Sequence, residues 1–254
     1  MQIIDTHAHY DHKQFNKDRD ELLKSLPGLG IGMVINVGCD LKSSRASVEM
    51  AEVYPYVYAT AGVHPHDAKS LSEDVLTKLK ALCKHKKVVA YGEIGLDFFH
   101  NFSPQSVQRF WFKRQLEVAL ELGLPVVIHS RDANEEVFSM IKDSKIRRGV
   151  IHSFSGDAAL ALAYVEMGFY IGIGGVVTFD KTGKLQAATA AIPLENILLE
   201  TDCPYLTPHP HRGKRNDSTY LSFVADEIAK IKGTSAEAVR AQTGENAKKL
   251  FLIP

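Results

Sequence analysis

The chain has 254 residues, 45% of them hydrophobic, and no formal net charge with its histidines counted as neutral. A chain of that length can bury one large α/β core, and with no global field to draw it toward nucleic acid or membrane, any polyanion must be held by a local patch. Three cysteines in no C-x-x-C pair argue against a disulfide framework and fit a reducing, cytoplasmic setting, while no apolar run is long enough to span a bilayer and no signal-peptide layout opens the chain.

Eight short apolar runs rich in β-branched residues follow one another: "QIIDTHA", "GMVINVG", "VYATAGVH", "VVAYGEIG", "LPVVIHS", "RGVIHSFS", "FYIGIGGVVTF" and "NILLETD". Several are continuous rather than alternating, as strands buried on both faces are. Between them lie segments of helical period. "SPQSVQRFWFKRQLEVALELG" predicts a helix with Ser103 as N-cap, Pro104 at the first helical position and Gly123 as stop. A second predicted helix runs from Asp157 to Gly168, and Thr234 and Glu237 stand at capping-box spacing before a third. Strands alternating with helices predict a parallel (β/α)8 barrel in one domain over residues 1–254, with a doubly wound open sheet as the competing architecture.

The polar residues favour the barrel. In an extended strand, positions i and i+2 share a face, so His7 and His9 in "DTHAHYD" converge, with Asp5 on the same face. Strand ends also carry His64, Glu93 and Asp97, His129, His152, and Glu200 and Asp202. A single histidine or carboxylate at a strand end is usually a satisfied core residue or a helix cap. Recurrence on six of eight predicted strands makes that reading strained, because barrel closure brings these ends to one rim, where unpaired buried charge is costly. Bound cations remove the cost. Four histidines and two carboxylates exceed the three protein ligands of a typical catalytic zinc, so the set suits a pair of divalent ions. Mixed nitrogen and oxygen donors suit Zn or Mn better than Mg.

These motifs resemble the TatD family of metal-dependent deoxyribonucleases, within the amidohydrolase-like barrels. The similarity runs the whole length through "DTHAH", "GVHPHD", "GEIGLDF", "LPVVIHSRDA", "HSFSG", "ETDCPYLTP", "HRGKRN" and "ENAKKLF". The resemblance implies metal ligands at His7, His9, Glu93, His129, His152 and Asp202, with Glu93 bridging two divalent ions. It also implies hydrolysis of DNA phosphodiester bonds, often from the 3′ end. Two departures are visible: Ser153 stands where the family commonly has cysteine, and Asp217-Ser218 where it commonly has Glu-Pro.

On this reading Asp202 and Glu93 are catalytic, Asp202 taking or relaying the proton of the attacking water. Glu200 is a partner behind the ligands or an ordinary strand-end carboxylate. His64 is a phosphate contact or a proton donor to the leaving oxygen. Arg131 holds phosphate or forms a structural ion pair. Arg212 and Lys214, with Arg215, form a basic loop after the Asp202 strand that can hold a polyanion. Phe98 and Phe99 can stack a base, but core packing is the favoured reading for them, as it is for Trp111. "GIGGVV" fails as a dinucleotide fingerprint, since Val177 occupies the third glycine position. The competing activities are an amidohydrolase acting on a small amide or ester, an aminoacyl-tRNA ester hydrolase, and a non-enzymatic metal-binding scaffold or nucleic-acid adaptor. The basic loop favours the nuclease.

Overall fold

The computed structural model describes residues 2–254. Each of the eight apolar runs contains a strand: β1 (Ile3–Ala8), β2 (Ile31–Asn36), β3 (Val57–Ala61), β4 (Val88–Asp97), β5 (Val126–Arg131), β6 (Gly149–Ile151), β7 (Phe169–Ile173) and β8 (Ile197–Leu199). They form one sheet in sequence order, every neighbouring pair parallel. The sheet closes through a parallel bridge between Ala8 and Cys203, where His9 N–H donates to the Cys203 carbonyl and Asp202 N–H to that of His7. The architecture is a (β/α)8 barrel, and the open-sheet alternative falls with that closure.

Helices alternate with the strands: α1 (Arg19–Ser25), α2 (Leu41–Val53), α3 (Glu73–Leu82), α4 (Gln105–Leu122), α5 (Asn134–Ser144), α6 (Ala158–Glu166) and α7 (Lys184–Ala191), with α8 (Leu221–Lys232) and α9 (Ala236–Phe251) after β8. Gly123 stops α4 in the left-handed conformation, and the Asp157 side chain caps α6 at Leu160 N–H, as predicted. Two caps differ. Pro104 is the α4 N-cap, because Ser103 Oγ is engaged elsewhere, donating to the His66 carbonyl and accepting from Lys69 N–H. The α9 cap is Ser235, which accepts from Ala238 N–H, one residue beyond the predicted Thr234.

Two apolar layers hold the barrel. The larger lies between the sheet and the surrounding helices. The smaller combines strand residues Ile4, Ile35, Val89, Val127, Val150, Tyr170 and Leu198 with Ala247, Leu250 and Phe251 of α9. Strand alternation then sets the next layer toward the C-terminal end: two residues after Val127, Val150 and Leu198 come His129, His152 and Glu200, and four after Val89 comes Glu93. The repeat that buries the apolar plug therefore also aims the ionisable side chains.

Candidate metal centre

The C-terminal ends of the strands open into a cavity of about 970 Å³. Its walls include His9, His64, Glu93, His129, His152 and Asp202. His7, 1% exposed, sits beneath them. His7 and His9 do converge, with their Nε2 atoms 3.1 Å apart. Asp5 does not join them. The register of β1 shifts between Asp5 and Ala8, and the buried Asp5 carboxylate is taken up by the Thr201 and Ser218 hydroxyls and by Thr201 N–H. Burial pushes Asp5 up to about 6, with those hydrogen bonds opposing the rise.

Glu93 lies at the middle of the cluster, and its two oxygens face different partners. Oε2 is 3.3 Å from His7 Nε2; Oε1 is 2.9 Å from His129 Nδ1, 3.6 Å from His64 Nε2 and 4.0 Å from His152 Nε2. Burial alone would raise the Glu93 carboxyl, but the imidazoles around it, His64 and His7 foremost, hold it well below the usual range. Asp202 Oδ1 completes the other side, 3.3 Å from His9 Nε2, 3.8 Å from His152 Nε2 and 4.0 Å from His7 Nε2. Among the described residues five sets of three donors lie close enough to hold an ion: His7, Glu93 and His152; His7, His9 and Asp202; His9, Cys39 and Glu93; His64, Glu93 and His129; and His66, Asp97 and His100.

Glycine makes room for this crowding. Gly95, at φ +151, lies so close to β5 that a Cβ would stand 1.9 Å from the His129 carbonyl oxygen. A side chain there would force apart the strands that carry Glu93 and His129.

Behind the cluster, two carboxylates face the far nitrogens of two histidines. Asp97 Oδ2 is 3.2 Å from His129 Nε2, and Glu200 Oε1 is 3.0 Å from His152 Nδ1. The His152 Nδ1–Glu200 Oε1 contact is close but off the hydrogen-bonding axis, and Oε1 accepts instead from Ser153 N–H; His152 Nδ1 and, separately, Glu200 Oε2 have no hydrogen-bond partner. Burial opposes protonation of His152, but Glu200 outweighs it and raises the ring to about 9. A carboxylate behind a metal-binding imidazole fixes its ring and tautomer. Glu200 stands where such a partner would, against His152.

The donor chemistry fits divalent ions. Imidazole and carboxylate oxygen are the mixture that borderline cations take. The buried His7 Nδ1 lacks a hydrogen-bond partner. The 3.1 Å separation of the His7 and His9 nitrogens suits two donors each about 2.0–2.1 Å from a shared ion.

The remaining predicted contacts divide. His64 belongs to the cluster, its Nδ1 accepting from His66 N–H, so Nε2 carries the proton and points toward Glu93. Burial, reinforced by His129, keeps that ring well below the ordinary imidazole value and so neutral. Arg131 lines the cavity and makes no ion pair among the described residues; its guanidinium stacks 4.2 Å over the Phe99 ring. Arg212 and Lys214 are exposed and lie outside the cavity wall. Arg212 donates to the Thr207 carbonyl and stacks on Phe179, while Arg215 is tied to Asp18 at 2.5 Å. Trp111 packs against the core, and so does Phe98, but Phe99 is 58% exposed, against the core-packing expectation.

Polar residues of the cavity wall outside the predicted set include Cys39, His66, His100 and Lys184. Cys39 Sγ is 3.7 Å from His9 Nδ1 and 3.8 Å from Glu93 Oε2. His66 and His100 both reach Asp97 Oδ2, at 2.8 and 3.0 Å, and Lys184 adds a cation. Only His66 had a sequence signal, the H-x-H spacing of "HPH" repeating that of "HAH".

Residues 4–252 match the family model described as TatD related DNase. YabD of Bacillus subtilis strain 168, named an uncharacterized metal-dependent hydrolase, is 40% identical over 253 residues, covering 99% of each chain. The 3′-5′ ssDNA/RNA exonuclease TatD of Salmonella typhimurium strain LT2 is 35% identical over 259 residues, again 99% of each. Among solved structures, the TatD homologue YJJV of Escherichia coli K12 superimposes with a TM-score of 0.93 at 30% identity, covering 99% of this chain and 98% of that one. The likeness thus extends over both the barrel and the strand ends that build its polar rim, and the chain belongs to the TatD family of metal-dependent hydrolases.

Proposed function

We propose that the protein is a deoxyribonuclease that binds two divalent ions, Zn, Mn or Mg, through His7, His9, Glu93, His129, His152 and Asp202, and hydrolyses phosphodiester bonds of DNA from 3′ ends. The observation that carries this reading is the division of Glu93: one oxygen faces His7, the other His129 and His64. A carboxylate set between two groups of donors is what a pair of ions needs in order to share a ligand. Bound there, divalent ions would lower the pKa of water and draw charge from the phosphate oxygens.

The chain's own residues would do the rest. Asp202 is 21% exposed, whereas the Glu93, Asp97 and Glu200 side chains are 4%, 0% and 1% exposed. Asp202 is therefore the cluster carboxylate best able to take a proton from the attacking water. Burial would raise it, but the His9 hydrogen bond and nearby imidazoles hold it below its usual value, so it is ionised and ready to accept. His64 lines the cavity with Nε2 3.6 Å from Glu93 Oε1 and is suited to hydrogen-bond a phosphate or leaving oxygen held beside that carboxylate. Arg131 and Lys184 add positive charge at the wall, and Arg212 and Lys214 are exposed on the loop that follows the wall residues Tyr205 and Leu206.

The name of the TatD relatives supports nucleic acid over a small amide, and the presence of Glu93, with no lysine, in several of the donor sets supports a carboxylate as the shared ligand. The unpaired Cys39, Cys83 and Cys203 support a reducing cytoplasmic setting. No helix among the described residues is long and apolar enough to cross a membrane. The test is hydrolysis of a 3′-labelled single-stranded oligodeoxynucleotide, with and without EDTA, beside the matching RNA and a panel of amides and esters. The proposal expects mononucleotide release from DNA that EDTA abolishes and added metal restores. EDTA-sensitive hydrolysis of an amide, with DNA untouched, would identify an amidohydrolase instead.

A further inference from the structure

The segment directly after β4, "FFHNFS" at residues 98–103, contributes His100 to the cavity wall and carries phenylalanines on either side of it. Its first phenylalanine, Phe98, packs inward beneath the Arg109 guanidinium. The other two do not: Phe99 is 58% and Phe102 59% exposed. Phe99 carries the Arg131 guanidinium 4.2 Å over its ring. Phe102 lies 4.8 Å from the His66 ring and 5.3 Å from that of His100, at 30° to the latter. One guanidinium thus lies against Phe99 and two imidazoles against Phe102.

This exposure is fixed by the surrounding hydrogen bonds. His100 N–H donates to Asp97 Oδ1, and Asn101, at φ +50, donates through its side chain to the Phe98 carbonyl. Gln108 Nε2 donates to the Asp97 and Ser103 carbonyls, Lys69 Nζ to that of Phe102, and Ser103 Oγ to that of His66. A loop bracketed this closely holds its two outward rings in place before any ligand arrives, which lowers the entropy lost on binding.

We infer that Phe99 and Phe102 form a nucleobase-stacking subsite, which holds bases of a single strand whose phosphate lies in the cavity. This inference rests on the nuclease reading above. A base is the occupant that matches both features: a flat face for the rings, and a phosphate next to it for Arg131, which lines the cavity while stacked on Phe99. Base-on-aromatic stacking tolerates any base, so the subsite selects unpaired strands rather than sequence.

The test compares the wild type with the Phe99→Ala/Phe102→Ala variant on three probes: a single-stranded oligodeoxynucleotide, the same oligonucleotide with abasic residues near its 3′ end, and bis(p-nitrophenyl) phosphate. The expected result is a rise in KM of about tenfold for each ring that carries a base on the normal oligonucleotide. The small diester should be turned over at an unchanged rate. The wild type should lose a similar factor on the abasic strand, and the variant should no longer distinguish the two strands. Phe99→Trp/Phe102→Trp should keep the wild-type KM. An unchanged KM in the alanine variant, or equal losses on the oligonucleotide and the small diester, overturns the subsite and leaves the nuclease reading standing. Failure of the wild type to cleave any oligonucleotide overturns both.

Discussion

At the N-terminal end of the barrel, Val127, Val150 and Leu198 close over Leu250 and Phe251 of α9. Two residues further along the same strands, His129, His152 and Glu200 stand in their place. The first layer is built of apolar contacts, and beside it lies a pocket of about 450 Å³ lined by Tyr58, Lys86, Lys87 and the chain's last residues. The second lines a cavity of about 970 Å³ crowded with imidazoles and carboxylates. The two ends do different work at neighbouring positions of one strand. Packing at the apolar end supports the frame, so the other end can carry buried ionisable groups that on their own would weaken it.

If that division holds, changes at the two ends must separate activity from stability. The largest expected effect is at Asp202. Asp202→Asn keeps the shape and removes the proton acceptor, so kcat should fall roughly 10²–10⁴-fold while the thermal midpoint holds. Wild-type turnover in that variant would move the base elsewhere.

Glu200→Gln and Asp97→Asn act through the imidazoles they face. Each should weaken metal affinity or activity by about 10–100-fold. Metal titration distinguishes this from a packing role: a lower melting temperature with unaltered metal affinity would count against it.

Leu250→Ala probes the opposite end. Leu250 is 1% exposed, and truncating it should reduce stability by about 2–5 kcal/mol, with turnover below the melting transition close to wild type. Loss of turnover in a still-folded variant would mean the ends are not separable.

The smallest effect is expected at Lys214, exposed and outside the cavity wall. Lys214→Ala should flatten the dependence of log affinity on log salt for single-stranded DNA by about 0.7 at most. A larger change would make the basic loop the main anchor of the strand.

The apolar layers were legible in the sequence because a strand buried on both faces leaves an uninterrupted run, and all eight runs contain strands. The histidine and carboxylate positions were legible because each follows its run directly. What was missed depends on distant partners. Arg215 reads as a free cation until Asp18, far away in sequence, is placed beside it. Ser103 reads as a helix cap until the His66 carbonyl competes for its hydroxyl. The departures from the family pattern show the same dependence. Ser153 uses its backbone N–H, not its side chain, to hold Glu200. Ser218 hydrogen-bonds Asp5, while the Asp217 side chain caps the short turn that follows. Cys39 and His100 had no spacing signal: Cys39 nears His9 only through the pairing of β2 with β1, and His100 folds back on Asp97 through a local turn.

The central claim is that one glutamate serves two ions. Metal content per chain, measured after equilibrium dialysis by inductively coupled plasma mass spectrometry for wild type and Glu93→Gln, tests it most directly. The account predicts about two equivalents in the wild type, as expected of a paired centre, and loss of at least one in the variant with its melting transition still cooperative. A single equivalent in the wild type, or full occupancy in the folded variant, would contradict it.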